Sequence, residues 1–295
     1  MWEVVAIAFF IFLLLSQDGV FVGLRWGFPV FLPLDRHVVI LGPTRSGKSR
    51  LAKKIVKRSG LPALILDWVG EYDVGLRVDA RLLKYDFRNF DKKLLTEIIG
   101  LSLNLNEPSI YFLYRAIRNA EIRKIGDVLE ALESFLVTSR AEVEMRAAIA
   151  RRLEYIVEVL ERGKIPLDLL LKLKRTVVID LSKLRLYEEK VMISLFVLAL
   201  LYDRMQREGV SHRPRKLLIV DEAQNVLKRG EVVRHLVFES AKFGLRVILV
   251  TNEVPPDDVL IHSYIVITKP HVMYKFQLKK SAVVIDNRVI ELKIV

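Results

Sequence analysis

The 295-residue sequence contains no cysteine. Disulfide bonds, thiolate metal sites and cysteine nucleophiles are therefore excluded. Glutamine and asparagine are also sparse beside many lysine, arginine and glutamate residues, a composition compatible with a thermophilic source. No low-complexity linker or internal repeat is visible, and 52% of the residues are hydrophobic. The chain can therefore bury the large core that a sheet flanked by helices requires, and its composition does not indicate disorder.

Acidic residues are outnumbered: 35 Asp and Glu stand against 47 Lys and Arg, a net charge of +12 with a pI near 9.8. Such an excess favours a polyanionic partner such as nucleic acid, because summed basic charge attracts phosphates independently of their sequence. Several of the cations recur at helical spacing, namely Arg50, Lys53, Lys54, Lys57 and Arg58. This basic stripe fits a nucleic-acid contact and an ordinary solvated helix face equally well.

Long apolar runs without a charge are also missing. Val4 to Leu15 is apolar throughout but shorter than the ~20 residues that a membrane-spanning helix needs. Continuing the run to Val22 reaches that length at the cost of including Asp18. We predict that residues 1–19 anchor an otherwise cytoplasmic protein to the cytoplasmic face of a membrane, since the basic residues follow the run. A buried strand or helix is the alternative. A secretory signal is disfavoured because no positive charge precedes the run.

A glycine-rich segment follows the apolar run His37–Leu41 and precedes a helical pattern from Arg50 to Arg58. It matches the phosphate-loop pattern GxxxxGK[ST] with Gly42, Pro43, Thr44, Arg45, Ser46, Gly47, Lys48 and Ser49. The glycines allow a tight turn, so that backbone N–H groups and the N-terminus of the following helix converge on phosphates. We therefore predict a bound nucleoside triphosphate, with Lys48 reaching the β- and γ-phosphates and the Ser49 hydroxyl on Mg²⁺.

A second candidate site lies at the end of the apolar run that begins at Lys216. The run ends in two carboxylates, Asp221 and Glu222. An acid at the tip of a neighbouring parallel strand can hold the Mg²⁺ shell, and Asp221 is the candidate for that task. Glu222 is then placed to orient and deprotonate an attacking water, which predicts hydrolysis in addition to binding. The alternative is a solvated acid pair at a strand end.

Apolar runs alternate with long helical patterns along the chain, which predicts an α/β fold: a mostly parallel sheet wound with helices on both faces. One helical pattern covers Lys190 to Arg207. The predicted core strands are Val38–Leu41, Ala63–Asp67, Thr176–Asp180, Leu217–Asp221 and Arg246–Thr251.

Two regions depart from this alternation. Residues 108–172 contain few strand signals and read as an all-helical insertion between the second and third core strands. Its helical stretches are Ile110–Arg123, Ile125–Val137 and Glu142–Glu161. Near the end of the sequence, Ala282–Ile285 and Arg288–Val295 flank Asp286-Asn287, which predicts a β-hairpin. We therefore predict one ATPase domain over residues 20–295, with 108–172 inserted into it.

Three further segments resemble the HerA/FtsK superfamily, specifically archaeal HerA-like ATPases. Leu64–Tyr72 carries the D-x-x-G-E-Y pattern, and Asp221–Asn225 is similar to that family's D-E-A-H-N with Gln224 in the histidine position. Glu239–Leu245, followed by a strand to Asn252, resembles the family's E-G-R-K-F-G-L segment. The resemblance extends from about Val20 to the C-terminus and implies a P-loop NTPase fold of the RecA/FtsK-like type.

The resemblance also implies an activity and partners. Relatives are ring-shaped motors, so it implies a homo-oligomer, a hexamer above all, that binds ATP with Mg²⁺ between subunits and moves along double-stranded DNA. Lys228 and Arg229 are the DNA-binding candidates, because loops on that side of the sheet project into the ring's channel. Three roles stay open: DNA end processing with a NurA-like nuclease, membrane-anchored DNA transfer or viral-type genome packaging, and a nucleotide-dependent switch that remodels protein.

The sequence departs from the family at two positions. Asn252 stands where relatives place a glutamine that senses the γ-phosphate; its amide is one methylene shorter, and we predict a sensor role for it. Ala241 replaces an arginine, so an arginine acting across a subunit boundary must come from elsewhere. Arg234 and Arg246 are the nearest candidates, with an ordinary packing role as the alternative for each. Glu71 is the alternative to Glu222 as the catalytic base.

Overall fold

The computed structural model describes residues 19–269, 280–286 and 288–294. The predicted anchor over residues 1–19 thus lies outside the described part apart from Gly19. In the described ranges, no helix combines the length and apolarity needed to cross a membrane. Contacts divide the chain into two compact units. Of the described residues, the first contains 19–65, Glu208–Gln224 and those from Phe238 onward; the second contains Leu66–Arg207 and Asn225–Val237.

The described elements follow in chain order. The strands are β1 (Val20–Arg25), β2 (Phe28–Leu32), β3 (His37–Leu41), β4 (Ala63–Asp67), β5 (Leu76–Asp79), β6 (Leu83–Lys84), β7 (Ile165–Pro166), β8 (Val177–Asp180), β9 (Ser211–Val220), β10 (Phe243–Thr251), β11 (Ser263–Ile267), β12 (Ala282–Ile285), β13 (Arg288–Glu291) and β14 (Lys293–Ile294). The helices are α1 (Lys48–Ser59), α2 (Lys92–Ser102), α3 (Glu107–Ile117), α4 (Ile125–Ser134), α5 (Arg140–Leu160), α6 (Leu167–Lys172), α7 (Tyr187–Arg207), α8 (Gln224–Leu227), α9 (Glu231–Ser240) and α10 (Asp257–Ile261).

The first unit is built on a mostly parallel sheet with the strand order β13-β12-β11-β3-β10-β9-β4. Strand β3 pairs in parallel with β11 on one side and β10 on the other, and β10 pairs in parallel with β9. All of β3 is buried, as a strand covered on both faces must be. Because parallel strands end at the same edge, the residues that follow β3, β9, β10 and β11 meet there.

Helix α1 follows the phosphate loop and buries one face, with Leu51, Ala52, Ile55 and Val56 inward. The basic stripe lies on the rest of the helix. Arg58 contacts strand β1: its guanidinium donates to the carbonyl of Phe21 at 2.7 Å and lies over the Phe21 ring. Burial, together with the charges of Arg50 and Arg58, lowers the pKa of Lys54.

Strand β1 lies between β14 and β2 in a small antiparallel sheet of the same unit. Strands β12 and β13 pair in antiparallel register, which confirms the predicted hairpin. The C-terminal half of that prediction divides into β13 and β14 around Leu292.

The second unit holds the predicted helical region. The three predicted stretches form α3, α4 and α5, but the helical part already begins with α2 and is interrupted by the two-residue strand β7, which pairs with β6. Residues 108–172 are therefore not entirely helical. Strand β5 was also missed: it pairs in parallel with β8, but only Val78 is buried, so its apolar pattern is too short to read.

Candidate nucleotide-binding site

The phosphate loop connects β3 to α1 at the edge where the parallel strands end. Arg45 and Gly47 have positive φ values of 63° and 91°, and the turn is closed by a bond from the Ser46 N–H to the Pro43 carbonyl at 3.2 Å. A chain in this left-handed conformation turns successive N–H groups to one side, where they form an anion cradle. The Lys48 ammonium donates to the Pro43 carbonyl at 3.0 Å, so it lies over the loop.

The two glycines of the loop are needed for different reasons. A Cβ on Gly42 would lie 2.3 Å from the Thr268 hydroxyl oxygen and 2.7 Å from that of Ser46. A Cβ on Gly47 would meet no atom within 4 Å, but its φ belongs to the region that side chains rarely adopt. Gly42 therefore supplies space and Gly47 supplies a backbone conformation.

Thr268 is a site residue that the sequence reasoning missed. It follows β11, is buried, and its hydroxyl lies 2.5 Å from that of Ser46. Its N–H also donates to the Leu41 carbonyl at 2.9 Å. One signal was available: a threonine ends this apolar run as Thr251 ends the run of β10. Thr268 thus fixes the phosphate loop against the strand beside it.

Asp221 and Glu222 follow β9 and lie at the same edge. Asp221 is buried, whereas Glu222 is half-buried and has a φ of 47°, a left-handed conformation that is uncommon for a side-chain-bearing residue. Ala223 fixes the turn by donating its N–H to the Val250 carbonyl at 2.9 Å. Such strain is most often kept at functional sites.

The residues present fit a magnesium ion held together with phosphates. The Ser49 hydroxyl and the Asp221 carboxylate are the hard oxygen donors that Mg²⁺ prefers, and this ion usually takes its remaining ligands from phosphates and water. The described residues contain no group of three or more His, Cys, Asp or Glu side chains that could hold a metal ion.

The end of β10 carries Thr251 and Asn252. The Thr251 hydroxyl bonds to the Gln224 side chain at 2.9 Å, and its carbonyl accepts the Gly42 N–H at 3.3 Å. The Asn252 side-chain oxygen is buried and has no hydrogen-bond partner among the described residues. Its role as a γ-phosphate sensor stays a prediction, whereas Thr251 contacts the loop through its backbone carbonyl.

A cavity of about 1050 Å³ opens beside Ser46 and Gly47. Trp26 borders it with 84% of its surface exposed and carries the Arg25 guanidinium 4.4 Å above its ring. Such a volume accommodates a base and a ribose next to the phosphates. The described lining contains one carboxylate, Glu291, against the cations Arg25, Arg50, Lys54, Lys269, Lys280 and Lys293.

Arg246 is not available as a residue acting across a subunit boundary. Its guanidinium is buried and donates to the carbonyls of Leu34 at 2.9 Å, Ala241 at 2.8 Å and His212 at 3.4 Å. Burial lowers its pKa. The packing role that the sequence left open is therefore the correct one for Arg246.

In the second unit, the aspartate of the D-x-x-G-E-Y segment stabilises the turn that the segment forms. The fully buried Asp67 accepts backbone N–H groups from Gly70 at 2.7 Å, Glu71 at 3.1 Å and Tyr72 at 3.0 Å. The carboxylate thus holds the turn that presents Glu71, whose side chain is exposed. Glu71 as the alternative base stays a prediction.

The DNA-binding candidates follow helix α8 in the second unit and differ in exposure. Lys228 is exposed, whereas Arg229 is half-buried, with its guanidinium 5.1 Å from the Tyr187 ring centroid and bonded to the Leu101 carbonyl at 3.3 Å. Arg234 is mostly covered and lies 3.8 Å from Glu231. Lys228 is therefore the better placed of the two for contact with a nucleic acid.

Comparison with known proteins agrees with these motifs. The family described as "Helicase HerA, central domain" matches residues 29–201. None of the curated proteins matches the chain in sequence.

Solved structures share the fold. VirB4 of Thermoanaerobacter pseudethanolicus superposes with a TM-score of 0.69 at 16% identity, covering 95% of this chain and 97% of that one. The plasmid coupling protein TrwB in complex with the GTP analogue GDPNP gives 0.59 at 14% identity, over 95% and 84%. TrwB in complex with ADP and Mg²⁺ gives 0.58 at 15% identity, over 94% and 83%. The resemblance to the superfamily is confirmed, its archaeal origin stays a prediction, and the chain belongs to the HerA central-domain family within the HerA/FtsK superfamily of P-loop ATPases.

Proposed function

We propose that this protein hydrolyses ATP with Mg²⁺ and uses the energy to move along double-stranded DNA as a ring-shaped homo-oligomer, a hexamer. One observation carries the proposal: parallel strands bring the phosphate loop, Asp221 and Glu222 to one edge of the sheet. The TrwB complexes with the ATP analogue ADPNP and with ADP and Mg²⁺ support the choice of ligands.

The residues divide the chemistry of hydrolysis among themselves. The phosphate-loop N–H groups and Lys48 bind the β- and γ-phosphates and stabilise the charge that develops on them. Glu222 takes a proton from a water molecule as its oxygen attacks the γ-phosphorus, while the bond to the β-phosphate oxygen breaks and ADP leaves. Ser49 and Asp221 would hold Mg²⁺, which when bound would neutralise phosphate charge.

The catalytic assignment is tested with Lys48→Ala and Glu222→Gln. Lys48→Ala should nearly abolish nucleotide binding, because it removes the cation directed at the phosphates. Glu222→Gln should retain ATP affinity but lower kcat by about a hundredfold or more, because an amide cannot accept the proton. Lys57→Ala, which removes an exposed charge from the same helix, is the matched control. Equal turnover by Lys48→Ala and the parent would refute the proposal.

Movement along DNA is tested by stimulation of the ATPase with duplex DNA. The stimulation should weaken steeply as the salt concentration rises, because the protein's Lys and Arg side chains release counterions from the DNA phosphates when they bind. Lys228→Ala should reduce the stimulation more than Lys183→Ala, which removes one exposed charge elsewhere in the same unit. An ATPase that does not respond to DNA would favour the protein-remodelling switch. Membrane association and a NurA-like nuclease partner stay predictions from the sequence.

A further inference from the structure

The carboxylate of Glu222 is held by a side chain of its own turn. Oε2 of Glu222 accepts a hydrogen bond from Nε2 of Gln224. Glu222 also has the left-handed φ of 47°, so its backbone is fixed in an uncommon conformation just after β9. The carboxylate is therefore oriented by two features of the turn that are separate from any nucleotide.

The chemistry of the groups determines which way the Gln224 amide points. An ionised carboxylate only accepts hydrogen bonds, so the amide nitrogen must face Glu222. The amide oxygen, Oε1, then faces the Thr251 hydroxyl at 2.9 Å, and Thr251 must be the donor. The reverse amide orientation would place two acceptors together at Glu222.

Hydrogen bonds hold Thr251 in a position from which it can donate to Gln224. It is buried, and its hydroxyl oxygen accepts the Glu253 N–H at 3.1 Å while its carbonyl accepts the Gly42 N–H at 3.3 Å. Its single hydroxyl proton has two acceptors within reach, Gln224 Oε1 at 2.9 Å and the Glu253 carbonyl at 3.0 Å. When the proton is donated to Gln224 Oε1, a continuous chain of bonds runs from the phosphate loop through Thr251 and Gln224 to Glu222.

We propose that Gln224 is a positioning residue for the general base, and that Thr251 sets the orientation of Gln224. This inference rests on the proposed ATP hydrolysis by Glu222. With Oε2 engaged by Gln224, Oε1 takes the proton of the attacking water. The chain of bonds affects the step in which the O–H bond of the water breaks. It does not affect phosphate binding, which depends on the phosphate loop.

The test separates kcat from KM. Gln224→Met keeps the length of the side chain and removes both amide groups. It should lower kcat by about ten- to a hundredfold through misplacement of the base, with KM within about twofold of the parent. Gln206→Met makes the same change at an exposed position and should leave both constants unchanged.

Thr251 supplies a second, independent variant pair. Thr251→Val is nearly isosteric and removes the hydroxyl, so it should lower kcat in the same way, and Thr251→Ser should restore most of the loss. The double variant Gln224→Met with Thr251→Val should be no slower than Gln224→Met alone, since both act through one chain of bonds. Thermal unfolding of each variant shows whether the fold is retained.

Three results would overturn the inference: additive losses in the double variant, a raised KM with unchanged kcat, or equal activity of the Thr251→Val and Thr251→Ser variants. These leave the proposed function standing if Glu222→Gln still blocks hydrolysis. Hydrolysis that continues in Glu222→Gln would instead refute the base assignment itself, and with it this inference.

Discussion

At the scale of single residues, the phosphate loop depends on the absence of a side chain at Gly42. We expect Gly42→Ala to raise the KM for ATP by about ten- to a hundredfold, because the added carbon would displace Ser46 and Thr268 from positions only 2.3–2.7 Å away. Steady-state kinetics and nucleotide titration measure the effect. Removing the obstructing hydroxyl in a Gly42→Ala, Thr268→Ala double variant should recover part of the affinity.

Gly60→Ala is the control for this prediction. Gly60 ends helix α1 with a φ of 66°, and an added Cβ would meet no atom within 4 Å. It should cost stability, about 1 kcal/mol, without changing nucleotide affinity. A Gly42→Ala protein with the parent's KM would show that the loop tolerates the side chain and that the steric argument is wrong.

At the scale of elements, the turn after β4 depends on Asp67. Asp67→Asn should lower the free energy of unfolding by about 1.5–3 kcal/mol, because the amide replaces one acceptor oxygen with a donor that faces a backbone N–H. Chemical denaturation measures the change. Asp286→Asn removes a carboxylate that lies in an exposed pair with Arg36 and should cost less than about 1 kcal/mol. Equal losses of unfolding free energy for the two variants would contradict the role of Asp67 as acceptor for the N–H groups of the turn.

At the scale of the whole molecule, carboxyl groups of the second unit make the protein sensitive to acid. Hydrogen bonds lower the pKa of Asp79 through Arg81, of Asp86 through Arg88 and of Glu142 through Thr138. Burial raises the pKa of Asp180, but its bonds to Ser182 and Arg77 outweigh burial and the pKa is lowered.

These shifts have a definite sign. A carboxyl whose folded pKa is below its unfolded value contributes its full stability above the unfolded value of about 4 and loses it as pH falls through the folded pKa. We therefore expect the unfolding temperature to be steady from about pH 5 upward, as far as these groups decide it, and to fall below about pH 4. Arg77→Met, which removes the charged partner of Asp180 and leaves Ser182, should weaken this acid dependence. An unfolding temperature unchanged between about pH 5 and 3 would contradict the prediction.

The sequence by itself predicted the phosphate loop, the acid pair, the strands β3, β4, β8, β9 and β10, and long helices such as α5 and α7. Each is encoded by neighbours: the loop by fixed spacing over Gly42–Ser49, β3 and β4 by uninterrupted apolar runs, and α5 and α7 by helical periodicity. Strand β11 and helix α2 were not predicted, and neither were the shortest strands. Strands β5 and β7 are too short, and too little buried, for a hydrophobic period to show.

Only the tertiary structure decided how residues far apart in the chain share the site. Thr268 contacts Ser46, which lies 222 positions away in the chain, and the buried Arg246 donates to the carbonyl of Leu34, 212 positions away. In the sequence, Gln224 is only a substitution at the histidine position of a motif. In the structure, the parallel pairing of β9 with β10 brings Thr251 to its side chain. A local pattern specifies an element, but the partner of a side chain depends on which strands are paired, and long-range packing sets that pairing.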